Sequence, residues 1–163
     1  MLIQTIKERL LSMANIVPRI GFVKEHALAQ LPTANNVDPL TGDTGYDLYS
    51  IEDAYICPGT SAVVDVGLKV AYIEPGYWFQ IMPRSGLGFK KGIQPHLGVI
   101  DNQYRGNLAI KLYNLNPSRP VKIETGDRVA QMVIHQLNQV NMQFVDEVSK
   151  TDRGDKGLGS SGQ

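Results

Sequence analysis

Cysteine is nearly missing from this chain: Cys57 stands alone among 163 residues. No intrachain disulfide can therefore staple the fold, and a reducing, intracellular setting is expected. Net charge is missing as well, since 16 Lys and Arg balance 16 Asp and Glu. That balance argues against stable nucleic-acid or membrane binding by the molecule as a whole. No apolar run approaches the ~20 residues needed to span a bilayer. No His or Cys cluster has zinc spacing, and no Ser-His-Asp or Cys-His set offers a covalent nucleophile. The expected location is cytoplasmic, and any anionic ligand must be held by local charge or by a metal.

The opening MLIQTIKERLLSM also lacks a signal-peptide pattern. Lys7, Glu8 and Arg9 interrupt its apolar run, and no small-residue cleavage site follows. Ile3, Ile6, Leu10 and Met13 instead fall at helical spacing, which predicts a short amphipathic helix.

What the chain does have is turn chemistry. Gly 16 and Pro 9 are spread along its length, as expected of many short strands joined by turns. IGFVKE, AYICPG, SAVVDVGLKVAYI, GYWFQIMP, LAIKLYNL and RVAQMVIHQL read as strands between PG, EPG, NPSRP and ETGD signals. With no strong helix between successive strands, a parallel βαβ sheet is excluded in favour of an all-β fold. A jelly-roll or β-clip barrel that hides its edges is the predicted architecture. Residues 1–15 form a helical extension, 16–148 the β domain, and 149–163 a Gly-rich mobile tail too poor in apolar residues to join a core. Residues 31–42, LPTANNVDPLTG, read as a long polar loop.

Five segments look over-specified for structure alone. In GDTGYDLYS, Asp47 is either a solvated acid near a Gly turn or a group facing a bound cation through water. In PRSGLG, Arg84, Ser85 and two bare glycines suit an anion, yet the Lys-Ser/Thr pair of a P-loop is absent. In VIDNQYRGNL a hairpin is predicted, with Gly98 early in one arm leaving room for a flat ring against the backbone. Asp101 ends that arm, where it can activate a water or merely cap the turn, while Tyr104 lies beneath a sugar or packs on the core. In GDRVAQMVIHQ, Gln131 falls on the polar side of a strand, Arg128 pairs with Asp127 or another acid, and His135 reads as structural. RGDKGLGSSG is either a plain terminus or a lid that folds over a polyphosphate.

Taken in order, GYDL, PRSGLG, GVIDNQYRG, GDRVAQ and RGDKGLGSSG resemble the five motifs of the trimeric deoxyuridine triphosphate nucleotidohydrolases, the dUTPases, across residues 16 to 163. The resemblance implies a jelly-roll homotrimer with active sites at subunit interfaces. Its activity would be Mg²⁺-assisted hydrolysis of dUTP to dUMP and pyrophosphate. Such an enzyme limits uracil incorporation into DNA and supplies dUMP for dTMP synthesis. By similarity, Asp101 deprotonates the water that attacks the α-phosphorus. Gly98, Ile100 and the strand around Ala109 would hold uracil through backbone groups, and Tyr104 would stack under the deoxyribose. Arg84, Ser85, Gly86 and Gln131 would grip phosphates, and Asp47 would reach Mg²⁺ through water. Arg153, Leu158, Gly159 and Ser160 would close the tail over the nucleotide. Leu158 stands where the family usually has Phe, Thr44 where it commonly has Ala, and His96 where a small residue is frequent.

Two other readings compete with this one. A dCTP deaminase shares the architecture but relies on a Glu in the base pocket, and GVID has none nearby. A dUTPase-like regulator would instead bind a protein partner through the 31–42 loop or the N-terminal helix. Intact Asp101, Arg84 and Arg153 argue for activity but leave a second, regulatory binding role open.

Overall fold

The computed structural model describes residues 17–38, 40–152 and 154. The expected N-terminal helix and the tail residues Arg153, Leu158, Gly159 and Ser160 lie outside the described residues. Among the described residues, no helix is long and apolar enough to cross a membrane.

Ten strands and one short helix follow one another among the described residues. They are β1 (Ile20–Lys24), β2 (Gly45–Tyr49), β3 (Ala54–Ile56), β4 (Ser61–Ile73), β5 (Tyr77–Met82), α1 (Ser85–Lys91), β6 (Ile93–Pro95), β7 (Gly98–Ile100), β8 (Asn107–Asn114), β9 (Val121–Ile123) and β10 (Arg128–Gln136). They form two four-stranded sheets, ordered β1-β4-β8-β6 and β2-β10-β5-β7, and a small β3-β9 pair. All pairings between them are antiparallel. The chain passes from one large sheet to the other at β1–β2, β4–β5, β5–β6, β6–β7 and β7–β8, the winding of a jelly roll.

Alternation explains the packing. In β8, Leu108, Ile110, Leu112 and Asn114 are buried while Asn107, Ala109 and Lys111 face outward. Inward residues of both sheets, among them Val64, Val70, Ile110, Leu48, Phe79, Ile81 and Met132, join Ile56 and Ile123 of the small pair in one core. Gly67 interrupts the alternation of β4 at φ +66, and a Cβ there would press within 2.9 Å of Ala29 and His26. Only glycine meets both demands.

Five of the six predicted strands appear within a residue of their expected bounds, while AYICPG is cut to Ala54–Ile56, and three further things differ. β6 and β9 are three residues each, too short to show a period. The stretch after PRSG is helical: SGLGFKK carries two glycines and few apolar residues, so α1 left no helical pattern to read. Third, the VIDNQYRGNL hairpin is not a paired one. β7 pairs with β5 and β8 with β4 and β6, because the arms belong to different sheets.

The 31–42 loop is held by its own carboxylates. Asp38 Oδ1 accepts from the Leu40 amide (2.9 Å) and from the amide and hydroxyl of Thr41 (2.8 and 2.9 Å). These donors, the Leu40 amide foremost, hold the Asp38 carboxyl below the ordinary carboxylate range. Asp43 Oδ2 accepts from the amides of Asn35 and Asn36 (3.0 and 3.1 Å). A bridge between Thr33 and Asp47 attaches the loop to β2.

Asn114 is the one polar side chain of the inner face of β8, and it is fully buried. Its Nδ2 donates to the carbonyls of Ile56 and Arg119, both at 2.9 Å, and its Oδ1 accepts from the Asn116 amide at 3.0 Å. It thereby fastens the small pair to the large sheet. Asn114→Ala leaves these backbone groups unpaired and should lower unfolding free energy by about 2–4 kcal/mol. Urea unfolding of the two proteins measures the difference.

Candidate active site

The strand switch after β6 opens the backbone. β6 covers the edge of β8 only from Leu112 to Asn114, with one more bond from the His96 amide to the Lys111 carbonyl (2.7 Å). The chain then leaves for the other sheet, where Gly98, Val99 and Ile100 stand opposite Ile81, Gln80 and Phe79 of β5. β7 is the last strand of its sheet, so one of its backbone edges has no strand beside it. No ladder joins β7 to β8 among the described residues, and the Ala109 end of β8 is likewise left by β6. Two backbone edges with free donors and acceptors are what a flat heterocycle needs for recognition along its rim.

Gly98 needs no special space within its own chain. A Cβ there would meet only the Ile81 side chain at 3.6 Å, an ordinary contact. The 101–106 loop that follows is ordered: the Tyr104 amide donates to the Asp101 carbonyl (2.9 Å), and the Tyr104 hydroxyl donates to the Asn107 carbonyl (2.8 Å). The phenol folds over Gly106, where any Cβ would collide with it. Asp101 is exposed, and its carboxylate accepts no hydrogen bond among the described residues.

A second group gathers at the other end of β5. Asp47, 9% exposed in the middle of β2, sits between two guanidinium groups. Arg84, just before α1, donates from Nε to Oδ1 (2.5 Å), and Arg128, opening β10, donates from Nη1 to Oδ2 (3.2 Å). Arg84 Nη1 also reaches the Arg128 carbonyl at 3.3 Å. Gln131 Nε2 donates to the Pro83 carbonyl (2.8 Å), and its amide oxygen lies against Gly45, where a Cβ could not fit. Of these groups, Arg84 and Gln131 border a cleft of ≈ 450 Å³, lined also by Pro83, Ser85, Gly88, Phe89 and Gln94. Ser85 and Gly86 are exposed in the first turn of α1, whose leading amides lack partners within the helix. A Cβ at Gly86 would meet nothing within 4 Å, so its bareness serves no packing in this chain.

The expected site residues thus fall into two groups. Asp47, Arg84, Ser85, Gly86 and Gln131 share the Met82 end of β5. Ile100 stands beside Phe79, so Asp101, with Tyr104, lies towards the Tyr77 end. The six residues of β5 separate Asp101 from Arg84, about 20 Å at ~3.3 Å per residue. Ala109 lies on the outward face of β8, opposite Asp65. Arg128 finds its acid in Asp47 rather than in Asp127. His135 stacks on Trp78 (ring centroids 4.4 Å apart). Phe89 and Gln94 were missed as lining residues, because the motif ended at Gly88 and only the helix brings them round. Asn102 was missed too, having no charge to draw notice.

The fit of a divalent cation can be judged from the donor set. Among the described residues, no group of three His, Cys, Asp or Glu is arranged to hold a metal. The Asp47 carboxylate is engaged by two arginines. The described residues therefore do not supply a cage of their own for such an ion.

Open strand edges, a carboxylate without a partner among the described residues and a separate arginine-bearing cleft thus lie on one all-β fold. The family model described as dUTPase matches residues 36–162, and the chain belongs to the dUTPase family. It is 40% identical over 124 residues to the deoxyuridine 5′-triphosphate nucleotidohydrolase of Corynebacterium glutamicum, covering 75% of this chain and 83% of that protein. With the vaccinia virus (strain Copenhagen) protein of the same name it shares 38% identity over 148 residues, covering 91% and 96%. Among solved structures, the Staphylococcus bacteriophage 80alpha dUTPase with dUPNHPP superposes at a TM-score of 0.77 and 27% identity, covering 89% of this chain and 99% of that one.

The Asp47 cluster yields a stability prediction. Asp47→Asn leaves Arg84 and Arg128 without their shared counter-charge in a half-buried site. The expected loss is about 2–3 kcal/mol of unfolding free energy, readable by chemical denaturation. Replacement of the surface acid Glu147, by contrast, should change stability by less than about 0.5 kcal/mol.

Proposed function

We infer that this chain is a dUTP diphosphatase, converting dUTP to dUMP and pyrophosphate. Family membership supports the reaction, and the site's geometry supports the assignment of roles. Uracil would enter between the open edges of β7 and β8, where backbone groups of Gly98 and Ile100 and those around Ala109 read its rim as a pairing base would. Tyr104, held over Gly106, would lie under the deoxyribose and disfavour a ribose 2′-hydroxyl. Asp101 would take the proton of the water attacking the α-phosphorus, since its carboxylate is exposed and otherwise uncommitted. Mg²⁺, bound chiefly by the phosphates and water with Asp47 beyond, would supply charge neutralisation. Arg84, Ser85, Gly86 and Gln131 would grip the phosphates, and Arg153, Leu158, Gly159 and Ser160 would close over them. No covalent nucleophile is needed, because alignment and charge stabilisation suffice at phosphorus.

The observation that carries the assembly is the span of β5. About 20 Å of strand between Asp101 and Arg84 is long for a single triphosphate, which favours the two residues of one chain serving different nucleotides. A homotrimer with shared sites resolves this. An apolar stretch without strand or helix also favours it: Val140, Met142, Phe144, Val145 and Val148 are all strongly exposed in one chain and suit cover from a neighbour.

Pyrophosphate release with Mg²⁺ should be seen for dUTP and not for dCTP, dTTP or UTP. Asp101→Asn should lower kcat at least about 10³-fold while a non-hydrolysable dUTP analogue still binds. A wild-type rate in that variant removes Asp101 as the base. Mixing Asp101→Ala chains with Arg84→Ala chains should restore part of the activity of the intact enzyme. No recovery, with subunit exchange confirmed, places each site within one chain.

A further inference from the structure

Asn102 directly follows Asp101 and turns its side chain towards the body of the fold. Its Nδ2 lies 2.9 Å from the Glu74 carbonyl, 2.9 Å from the Tyr77 carbonyl and 3.3 Å from the Ile73 carbonyl. One amide group thus serves three acceptors of the β4–β5 turn. That turn is itself well anchored. The Glu74 amide donates to Arg19 ahead of β1 (2.8 Å), the Tyr77 amide to Glu74 (3.1 Å), and the Leu137 amide, just past β10, to Gly76 (2.8 Å). Asn102 therefore ties the loop to the place where both large sheets meet.

The same loop is fixed at two further points. Ile100 is held in the β5 ladder opposite Phe79. Arg105 Nη1 donates to the carbonyls of Asn102 and Tyr104, both at 2.7 Å. Asp101 stands between the ladder and the Asn102 anchor, with its own carbonyl taken by the Tyr104 amide and its carboxylate without a partner among the described residues. A turn that only had to reverse direction would need no such anchoring next to its one uncommitted acid.

We propose that Asn102 is a positioning residue for the hydrolytic reaction, holding the Asp101 backbone so that the carboxylate meets the attacking water in line. This deepens the reading of Asp101 as general base and rests on it. The chemistry demands such control, since a misplacement of about 1 Å at a reacting group can cost ~10²-fold in rate. Asn suits the task because it offers two donors on a short stem. Asp in its place would set a carboxylate against three carbonyl oxygens, and Ser would keep a single donor.

The test uses the full-length protein with dUTP and Mg²⁺, measuring kcat and KM for Asn102→Ala, Asn102→Asp and Asn102→Ser. The same Ala change is also made in an Asp101→Asn background. Asn102→Ala should lower kcat at least about tenfold with KM within about threefold. Asn102→Asp should lose more, and Asn102→Ser should recover part of the loss. Beside Asp101→Asn, Asn102→Ala should alter the residual rate less than about twofold, because the group it positions is already gone. The proposal is overturned by a near-wild-type kcat in Asn102→Ala, by a rise in KM alone, or by an equal loss in both backgrounds. Where Asn102→Ala does not fold, Asn102→Ser is held to the same cycle, and a wild-type kcat there also overturns it. Full activity of Asp101→Asn alone is a separate result, which defeats the base assignment instead.

Discussion

The departure of the chain from β8 after Pro95 is the constraint on which the rest of the site depends. A sheet satisfies its backbone by keeping strands side by side, and an uncovered edge is normally hidden or blunted. Here β6 accompanies β8 for three residues and the chain then crosses to β5 as β7. The crossing leaves two edges without strand partners on either side of a loop that carries Asp101 and Tyr104. In the proposed reading folding and recognition use the same groups, since the donors and acceptors withheld from the ladder would be those offered to a base.

Around this opening the chain separates rigidity from contact. Gly67, Gly45 and Gly106 are demanded by their own surroundings, while Gly86 and Gly98 are not. Glycines without an internal reason stand where a ligand's close approach would supply one. The charge at Asp47 follows a similar logic. One carboxylate collects Arg84 from the end of β5 and Arg128 from the start of β10, fixing the Arg84 guanidinium beside the cleft it lines. A neutral chain can in this way present concentrated positive charge to a polyanion without becoming basic overall.

Much of this was visible in the sequence for physical reasons. Alternation in LAIKLYNL and the length of SAVVDVGLKVAYI define their strands because one face of each must be buried. The motif residues were legible because Arg-Ser-Gly-Leu-Gly and the Asp-to-Tyr loop carry chemistry that packing does not request. The pairing of strands was not legible. VIDNQYRGNL has the look of a hairpin, and only the competition of β5 and β6 for its two arms shows that they part. Nor does a single chain's sequence reveal that Asp101 and Arg84 stand a strand's length apart, as this is a matter of register. Arg128 was foreseen in an ion pair, but its acid came from 81 residues away rather than from next door. Asn102 escaped notice because its partners are main-chain oxygens, which have no signature in side-chain identity.

The uncovered apolar stretch after β10 also bears on how the molecule is made. From Val140 to Val148 a newly synthesised chain offers oily side chains that its own core does not absorb. In the homotrimer proposed above, that stretch can stick to whatever is near until a sister copy arrives, and scarcity of sisters would lengthen the wait. In that assembly supply of the polypeptide would govern the yield of competent particles more steeply than in proportion to dose, and thin expression would waste a larger share of what is translated.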